Sequence, residues 1–414
     1  MKKRSDIVTV IDIGSYKTTC AISKYNLNNE SLEILALSYQ MSKGVRSGKI
    51  IDMNQAANVL AQVIAAAEDD AGIKVEDVVV AISGGKIISQ IISSKITLND
   101  NFIKDKDVNR VIRQALDSIN QEQYEIIHYI PTEFVVNDIH GVSNPVGMVG
   151  SNLTAKINII LAPVTIINNL DNCFARAQVN ISDIVIGAYA SGLGVLTHDE
   201  KELGVTLIEM GSNVTSIAVY DKSIIKFIDT IPVGSQHITN DISHAFGISY
   251  LQAERIKALF GSVEVNDDDH RTFVDIENED GTHLDLHITR KMVSDIIIPR
   301  VDEIIEFMIE KIKKINFSYN SQNIVITGGG AQLYGIDKYI AEKLHRKVRV
   351  GLPISIMPNV KNFNYFENNP SFSTVSGLIN YSVKKQMMVK ENILVTGSNN
   401  FITKIKNLLL TKTN

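Results

Sequence analysis

The chain has 414 residues, of which 44% are hydrophobic and 21% charged, and its formal net charge at pH 7 is −5. This is the composition of an ordinary globular protein, and the length is sufficient for roughly two to four domains. The negative net charge argues against nucleic-acid binding, because no excess of basic residues would offset phosphate repulsion. Two cysteines, Cys20 and Cys173, cannot form a disulfide framework, and we expect both in the core of a cytosolic protein. The sequence has no uninterrupted apolar run of about eighteen residues, so it predicts no membrane-spanning helix.

The same seven-residue turn occurs twice, each time between two apolar strands. Residues 12–18 and residues 209–215 both read acidic-x-Gly-Ser-x-x-Thr. Each turn predicts a β-hairpin with a polar tip, and the pair predicts a duplicated domain whose halves hold one ligand between them. A single Asp-x-Gly turn would be ordinary hairpin chemistry, but two in matching positions are far less expected by accident. Backbone N–H groups at such tips can bind phosphate oxygens, and the acidic residue can hold a hydrated divalent cation.

Between the two turns, the pattern changes over residues 84–161. Short apolar strands there surround one helix at residues 105–120, which predicts a separate α+β module inserted into the first half. The elements predicted around this module are strands at 32–41, 78–82 and 184–186 and helices at 54–70, 166–177 and 187–196.

The second half contains another insert, followed by a glycine-rich loop. We predict helices at residues 238–246, 250–260 and 290–315 in this insert. A buried strand at 323–327 then leads into three consecutive glycines, Gly328, Gly329 and Gly330, and a helix at 336–344. Three glycines between a strand and a helix allow the backbone to approach a flat or anionic ligand closely.

The C-terminal segment is amphipathic. Residues 386–400 have no periodicity and predict a flexible linker. In the tail that follows, five apolar side chains fall within about 120° on a helical wheel, and two lysines flank this stripe. This pattern predicts a membrane-surface helix, although a helix docked on the protein body would show the same apolar face. The residues concerned are Phe401, Ile402, Lys404, Ile405, Lys406, Leu408 and Leu409.

Two hairpin-led α/β halves, each with an insert, resemble the actin-like nucleotide-binding superfamily. Within it, several stretches are similar to the FtsA family of bacterial cell-division proteins, whose members carry an extra subdomain, 1C, in the first half. The resemblance covers residues 6 to 382 and the last fourteen residues, and the similar stretches are residues 82–87, 130–134, 141–148, 195–204 and 231–234.

The resemblance implies a fold class and subdomain boundaries. The expected fold is an α/β, actin-like, duplicated ribonuclease-H-like fold with two inserted subdomains, 1C and 2B, and a C-terminal amphipathic helix. Small residues at 190–192 and 375–378 are expected to mark two helices that connect the halves. The expected boundaries are 1A at 1–83, 1C at 84–161, 1A again at 162–196, 2A at 197–236, 2B at 237–321, 2A again at 322–368, a return to 1A at 369–385, a linker at 386–399 and the membrane helix at 400–414.

The resemblance also implies ligands and partners. We expect ATP and Mg²⁺ as cofactors, with Asp12 and Glu209 holding the cation through water. We expect self-assembly into protofilaments, binding of the FtsZ C-terminal tail near Arg300 and Asp302, membrane lipids and later division proteins as partners, and no nucleic acid. The expected nucleotide-binding residues are Asp12, Gly14, Ser15, Lys17, Glu209, Gly211, Ser212, Asn213, Gly234, Glu254, Lys257, Gly328, Gly329 and Gly330.

The implied function is that of a cell-division protein that polymerises and tethers FtsZ to the cytoplasmic face of the inner membrane at the division site. The second turn departs from the Asp-x-Gly-Gly-Gly-Thr usual in the family: Glu209 replaces Asp, and Ser212 and Asn213 replace glycines. We expect Asn213 to close the turn in a left-handed conformation. ATP hydrolysis should be weak or absent, and no residue can be singled out as catalytic. The alternatives are a pilus-assembly relative and a small-molecule kinase of the same superfamily.

Overall fold

The computed structural model describes residues 6–395 except 101, 121, 275–286, 314–322 and 367. The first half contains β1 (Ile7–Ile13), β2 (Lys17–Asn26), β3 (Ser31–Met41), β4 (Val45–Arg46), β5 (Lys49–Ile50), α1 (Met53–Ala71) and β6 (Asp77–Ile82). The inserted module contains β7 (Ile88–Thr97), α2 (Asp105–Leu116), β8 (Tyr124–Val136), β9 (Ile139–Val142) and β10 (Asn152–Pro163). The first half then resumes with α3 (Val164–Arg176) and β11 (Asn180–Ile186).

Two helices, α4 (Gly187–Val195) and α5 (His198–Leu203), lead into the second half. Its elements are β12 (Val205–Met210), β13 (Thr215–Asp221), β14 (Ile224–Ile231), α6 (Ser235–Phe246), α7 (Tyr250–Phe260), α8 (Arg290–Lys313), β15 (Asn323–Thr327), α9 (Ile336–Leu344) and β16 (Lys347–Val350). The described chain closes with β17 (Asn359–Lys361) and α10 (Ser373–Val395). Short 3-10 helices lie at Asp267–His270, Gly329–Gln332, Phe363–Tyr365 and Pro370–Phe372.

The central sheets of the two halves have the same strand order. In the first half the order is β11-β6-β1-β2-β3, with β17 added at the edge, and in the second half it is β16-β15-β12-β13-β14. The hairpin strands pair antiparallel in both sheets, and the next strand inward, β6 or β15, runs parallel to the first hairpin strand. The duplication predicted from the two turns is therefore present in topology and in register.

Helix α1 shows how local sequence sets the element boundaries. The Asp52 carboxylate accepts hydrogen bonds from the backbone N–H groups of Asn54 and Gln55, both at 3.0 Å, which caps the helix. At the other end, Gly72 has a left-handed conformation (φ 65°) and its N–H bonds the carbonyl of Glu68. Between these caps, apolar residues at helical spacing are buried against the first sheet, as the alanine-rich pattern predicts.

The inserted module is a four-stranded sheet, ordered β7-β10-β8-β9, with α2 packed on it and a hydrophobic cluster of its own. Strand β8 continues through Pro131, with a register shift between Lys156 and Ile157 of the partner strand β10. Proline has no N–H for the ladder, and the irregularity opposite Pro131 accommodates it.

The module also contacts the second half. Asn158 of β10 is fully buried, and its Oδ1 accepts a hydrogen bond from the Ser89 hydroxyl at 2.8 Å. The Asn158 side-chain amide donates to the carbonyl of Ile225 in β14 at 3.4 Å. An insert that belongs to the first half by sequence thus bonds the edge strand of the second sheet.

The two halves share a hydrophobic core around α4. One cluster includes residues of β1, β6 and α10 together with Leu207 and Val325 of the second sheet. Helices α4 and α10 cross at small residues: a Cβ built on Gly377 would lie 1.7 Å from the Ala190 carbonyl oxygen. Glycine at 377 is therefore required by close helix packing.

The structure corrects three boundaries expected after the second insert. Strand β17 pairs with β3, so the chain has returned to the first sheet by Asn359 and not at residue 369. The second connection between the halves consequently falls between β16 and β17 and is not α10. Helix α10 continues to Val395, so residues 386–395 are helical and not a linker. A helix can extend without an amphipathic pattern once its first turns are packed and nucleated.

Candidate functional site

The tips of the two predicted hairpins have the same backbone geometry. The Gly14 N–H donates to the Lys17 carbonyl at 3.1 Å, and the Gly211 N–H donates to the Val214 carbonyl at 2.9 Å. A Cβ added to either glycine would lie 2.8 or 2.9 Å from that same carbonyl oxygen. Both tips therefore exclude a side chain at this position for the same reason.

The prediction of a left-handed conformation at Asn213 is wrong. Among the described residues, those with positive φ do not include Asn213, Ser212 or Gly211. The second tip closes through the hydrogen bond from Gly211 to Val214, which needs no left-handed residue. The replacement of glycines by Ser212 and Asn213 therefore causes no backbone strain.

A cleft of about 450 Å³ lies between the two tips. The structure brings every predicted nucleotide-binding residue to its surface except Gly234. Gly234 lies behind the second tip, where a Cβ would come within 2.5 Å of the Gly211 carbonyl oxygen and 2.6 Å of the Ser212 carbonyl oxygen. Its role is to let the start of α6 pack on the tip.

Two carboxylates face this cleft at the ends of the matched strands β1 and β12. Burial and, to a lesser degree, the nearby Glu209 raise the pKa of Asp12 to about 7, while Lys17 opposes the rise. Burial also raises the pKa of Glu209, while hydrogen bonds from Thr374 and Ser191 lower it. The Thr374 hydroxyl donates to Glu209 Oε1 at 2.8 Å, and the buried Oε2 atom accepts no hydrogen bond from a hydroxyl or N–H group of the described residues. Burial therefore disfavours the charged forms of both carboxyl groups at this place.

Lys17 is the basic residue of the first tip, and its ammonium group contacts the 3-10 helix that precedes α10. The Nζ atom donates to the Ser371 hydroxyl at 2.7 Å and lies 3.4 Å from the centre of the Phe372 ring. Burial lowers the pKa of Lys17 to about 8, and the charge of Asp12 opposes this shift. Lys17 thus ties the first tip to the segment that precedes α10.

The predicted Glu254–Lys257 pair lies on α7 at the opposite wall of the cleft. Lys257 Nζ lies 2.7 Å from Glu254 Oε2, and both side chains bond the Thr239 hydroxyl of α6. Burial lowers the pKa of Lys257, and Glu254 partly reverses this. A rigid pair of opposite charges at a cleft wall suits hydroxyl and ring-nitrogen groups better than phosphates.

The three consecutive glycines have different environments. Gly328 has a φ of +86°, and a Cβ there would meet the Met210 carbonyl oxygen at 2.7 Å. A Cβ on Gly330 would meet the Met210 side chain at 2.4 Å. At Gly329 the nearest atom is Ser371 Cβ, 3.9 Å away. Gly329 can therefore accept a side chain without distorting the protein, and that side chain would enter the cleft.

Several cleft residues were not identified from the sequence. Tyr16 and Val214 lie within the two tips and could have been included from their positions alone. Others are near predicted residues in sequence: Ser216, Ser235, Gln236, Ile238, Tyr250, Ala258, Gln332 and Leu333. The rest carry no local signal, because they reach the cleft from strands and loops distant in sequence: Tyr39, Ser83, Asn369, Ser371, Phe372 and Thr374.

Arg300 and Asp302 lie on α8, away from this cleft, and both are engaged within the protein. Arg300 bonds Asp241 of α6 at 2.6 and 2.9 Å and also pairs with Glu303. Asp302 accepts a hydrogen bond from the Tyr339 hydroxyl at 2.8 Å and lies 3.0 Å from Lys343 Nζ. These contacts join α8 to α6 and α9, so a structural role for both residues is evident.

The predicted membrane residues from Phe401 to Leu409 lie outside the described residues. Among the helices that the structure describes, none is long and apolar enough to cross a membrane.

Solved structures of several proteins share this fold. A chain of a PilM–PilN type IV pilus biogenesis complex aligns with a TM-score of 0.65 and 15% identity, covering 91% of this chain and 98% of the other. MreB5 of Spiroplasma citri, solved with ADP, aligns with a TM-score of 0.56 and 15% identity, covering 94% and 99%. The chain therefore has the actin-like ATPase fold, which confirms the predicted fold class.

Sequence comparisons identify the family within this fold. The family model described as cell division protein FtsA matches residues 206–377, and that of the SHS2 domain inserted in FtsA matches residues 84–161. FtsA of Agrobacterium fabrum is 32% identical over 391 residues, covering 92% of this chain and 87% of the relative. FtsA of Borreliella burgdorferi is 31% identical, covering 93% of each chain, and FtsA of Escherichia coli K12 is 25% identical, covering 92% and 91%. The chain belongs to the FtsA family of cell division proteins.

Proposed function

We propose that this protein binds ATP with Mg²⁺ in the cleft between the hairpin tips and acts as a polymerising adaptor that tethers FtsZ to the membrane. The observation that carries the nucleotide assignment is the convergence of both tips, the glycine loop and the Glu254–Lys257 pair on one cleft. These elements lie far apart in sequence, and together they offer tips whose N–H groups suit phosphates and a glycine loop that a flat nucleoside can approach.

The residues present fit Mg²⁺ and phosphate chemistry. The unpartnered Oε2 atom of Glu209 and the neighbouring Asp12 provide oxygen atoms for the water shell of a cation. Among the described residues, no cluster of three or more His, Cys, Asp or Glu side chains could hold a metal. A cation at this place would therefore depend on phosphate oxygens and water for its other ligands, and Mg²⁺ would neutralise phosphate charge there.

We expect ATP hydrolysis to be weak or absent. Within the described part of the cleft the acidic side chains are Asp12, Glu209 and Glu254. Glu254 is paired with Lys257, and Glu209 is bonded by Thr374. Both are held in place by protein contacts, and Asp12 is assigned to the water shell of the cation, which leaves no carboxylate assigned as a catalytic base.

Gly329 provides the sharpest test of nucleotide binding. Gly329→Val should abolish binding of a fluorescent ATP analogue, because a Cβ at this position meets only Ser371 Cβ, at 3.9 Å, and the side chain enters the cleft. Gly329→Ala is the matched control and should weaken binding only modestly. Both variants should keep the wild-type melting temperature. Wild-type affinity in a folded Gly329→Val protein would contradict the assignment.

The adaptor role is supported by membership of the FtsA family, which also favours a division role over pilus assembly or small-molecule phosphorylation. The lysine-flanked apolar tail supports attachment to the cytoplasmic face of the inner membrane at the division site. Co-sedimentation with anionic liposomes, with and without ATP and FtsZ, tests this role directly. We expect FtsZ to sediment only when this protein is present. FtsZ remaining in the supernatant under all conditions would contradict the proposal.

We keep the second insert near Arg300 and Asp302 as the proposed docking site for the FtsZ tail. Because Arg300 is already bonded to Asp241, Arg300→Glu would bring carboxylates together and would destabilise the insert as well as any interface. Asp302→Asn is milder, since an amide oxygen can still accept from Tyr339. We expect it to weaken FtsZ-peptide binding without lowering the melting temperature. Unchanged peptide affinity would remove this site from consideration.

A further inference from the structure

A buried chain of hydrogen bonds leads from the cleft into the connection between the halves. Thr374, in the first turn of α10, donates its hydroxyl proton to Glu209 Oε1 at 2.8 Å. The Thr374 oxygen lies 2.9 Å from the Ser191 hydroxyl oxygen of α4. Because the one hydroxyl proton of Thr374 is donated to Glu209, the Thr374 oxygen is free to accept from Ser191. A hydrogen bond from Ser191 also lowers the pKa of Glu209, so Ser191 acts on both members of the pair.

All three side chains are removed from solvent. Glu209 is 8% exposed, Thr374 is 6% exposed and Ser191 is fully buried. Of the two Glu209 carboxylate oxygens, Oε1 is bonded and Oε2 has no partner in the described part of the protein. A buried carboxylate oxygen without a donor is costly, and Glu209 lines the cleft together with Asp12, so this oxygen calls for a compensating group.

The extra methylene of Glu209 is needed for this arrangement. An aspartate at the end of β12 would retract the carboxylate by one carbon and would separate it from Thr374. Ser191 lies on α4, which joins the two halves, and Thr374 lies on the helix that crosses it. The three residues therefore connect the proposed cation position to the helix crossing.

We propose that Thr374, oriented by Ser191, is a positioning residue: it holds Oε1 of Glu209 so that Oε2 is directed to the water shell of the nucleotide-bound cation. This inference rests on the proposed function, because it concerns how the same cleft takes up Mg²⁺-ATP. It assigns roles to two residues outside the hairpin tips and the glycine loop.

The test compares nucleotide affinity with and without Mg²⁺. Thr374→Val removes the hydroxyl at nearly constant volume and should raise the Mg²⁺ concentration for half-maximal ATP-analogue binding by about tenfold, as expected for one lost hydrogen bond to a charged group. Affinity measured in EDTA should stay within about twofold of wild type. Thr374→Ser should restore the Mg²⁺ dependence, and Ser191→Ala should shift it in the same direction as Thr374→Val but less.

A double-mutant cycle separates positioning from general damage. In a Glu209→Asp background the carboxylate no longer reaches Thr374, so adding Thr374→Val should change the Mg²⁺ dependence no further. Additive effects, an equal loss of affinity in EDTA and in Mg²⁺, or failure of Thr374→Ser to restore binding would each overturn the positioning role. If Thr374→Val does not fold, Ser191→Ala carries the same cycle.

A different result would contradict the proposed function. A wild-type protein that binds no ATP analogue at any Mg²⁺ concentration contradicts the nucleotide assignment itself. A wild type that binds with normal Mg²⁺ dependence, alongside an unaffected Thr374→Val variant, contradicts only the inference about Thr374.

Discussion

At the scale of single residues, the cleft is dominated by the cost of burying two carboxylates together. Asp12 and Glu209 each have a raised pKa because burial disfavours the charged form. Lys17 compensates only partly, because its ammonium group bonds Ser371 and lies against Phe372. Burying the two carboxyl groups therefore lowers the stability of the protein, and a divalent cation bound beside them would offset part of this loss.

The first prediction concerns the pH dependence of this cost. The folded-state pKa of Asp12 is about 7 against an ordinary value of 3.8, so the folded protein retains a proton that the unfolded chain releases, and stability falls as pH rises between about 4 and 7. Asp12→Asn removes this titration. It should stabilise the protein by about 2 kcal/mol more at pH 8 than at pH 5. Urea denaturation without nucleotide at both values measures this, and an equal effect at both would contradict it.

Titration of His128 changes the stability of the protein with pH in the opposite direction. Its Nε2 accepts the Ile186 N–H at 3.1 Å, and its ring packs on Tyr189 with centroids 5.0 Å apart. Burial lowers the pKa of His128 to about 4, with Asp183 opposing the shift. The folded state thus excludes a proton that the unfolded chain binds, so stability is full above about pH 6.5 and is lost as pH falls toward 4.

The second prediction follows from this sign. His128→Gln keeps a possible acceptor for Ile186 but cannot titrate, so the loss of stability between pH 6.5 and 4 should shrink by about 1–3 kcal/mol. Thermal melts across this pH range provide the measurement, with wild type as the reference. If the variant loses as much stability as wild type between pH 6.5 and 4, groups other than His128 control that loss.

At the scale of elements, the crossing of α4 and α10 brings two helix backbones into close contact. The third prediction is that Gly377→Ala destabilises the protein by about 3 kcal/mol or more, because its Cβ would lie 1.7 Å from the Ala190 carbonyl oxygen. Gly329→Ala has open space and serves as the control for the loss of a glycine. Similar melting temperatures for the two variants would mean that the helices separate at little cost.

The hairpins, the inserted module and the glycine loop could be predicted because their signals are local. Alternating apolar residues fix the strands, and the repeated tip sequence fixes the site on each. Thr374, Phe372 and Tyr39 could not be predicted, because only the packing of α10 and β3 brings them to the cleft. The helical residues 386–395 were missed for a related reason: a packed helix start can support an extension without periodicity.

At the scale of the whole molecule, membrane attachment is expected to depend on the tail and on self-assembly together. Five partly buried apolar side chains should contribute ~5–8 kcal/mol, and each lysine ~1 kcal/mol near an anionic leaflet. Ordering about a dozen residues costs a comparable amount. One tail should therefore bind marginally, whereas a polymer that presents many tails should bind firmly.

The fourth prediction tests this attachment. Deleting residues 400–414 should release the protein from anionic liposomes without lowering its melting temperature. Leu408→Glu should nearly match the deletion, because a carboxylate would interrupt the apolar stripe. Lys404→Ala with Lys406→Ala should weaken binding more at low salt than at high salt, since screening acts within about 8–10 Å. A destabilised protein that still binds lipid would mean that the tail packs on the body.

The matched tips have a further consequence for ligand orientation. Two sheets of equal strand order, with the same Gly N–H bond at each tip, line the cleft with two equivalent hairpins, as a dimer of identical subunits would. A site with true twofold symmetry would accept a ligand equally well in two opposite directions. Lys17 in the first tip corresponds to Val214 in the second, so one tip carries a cation and the other an apolar side chain. This difference, together with the Glu254–Lys257 pair, makes the two ends of the cleft unequal, and we expect a bound phosphate chain to take one direction.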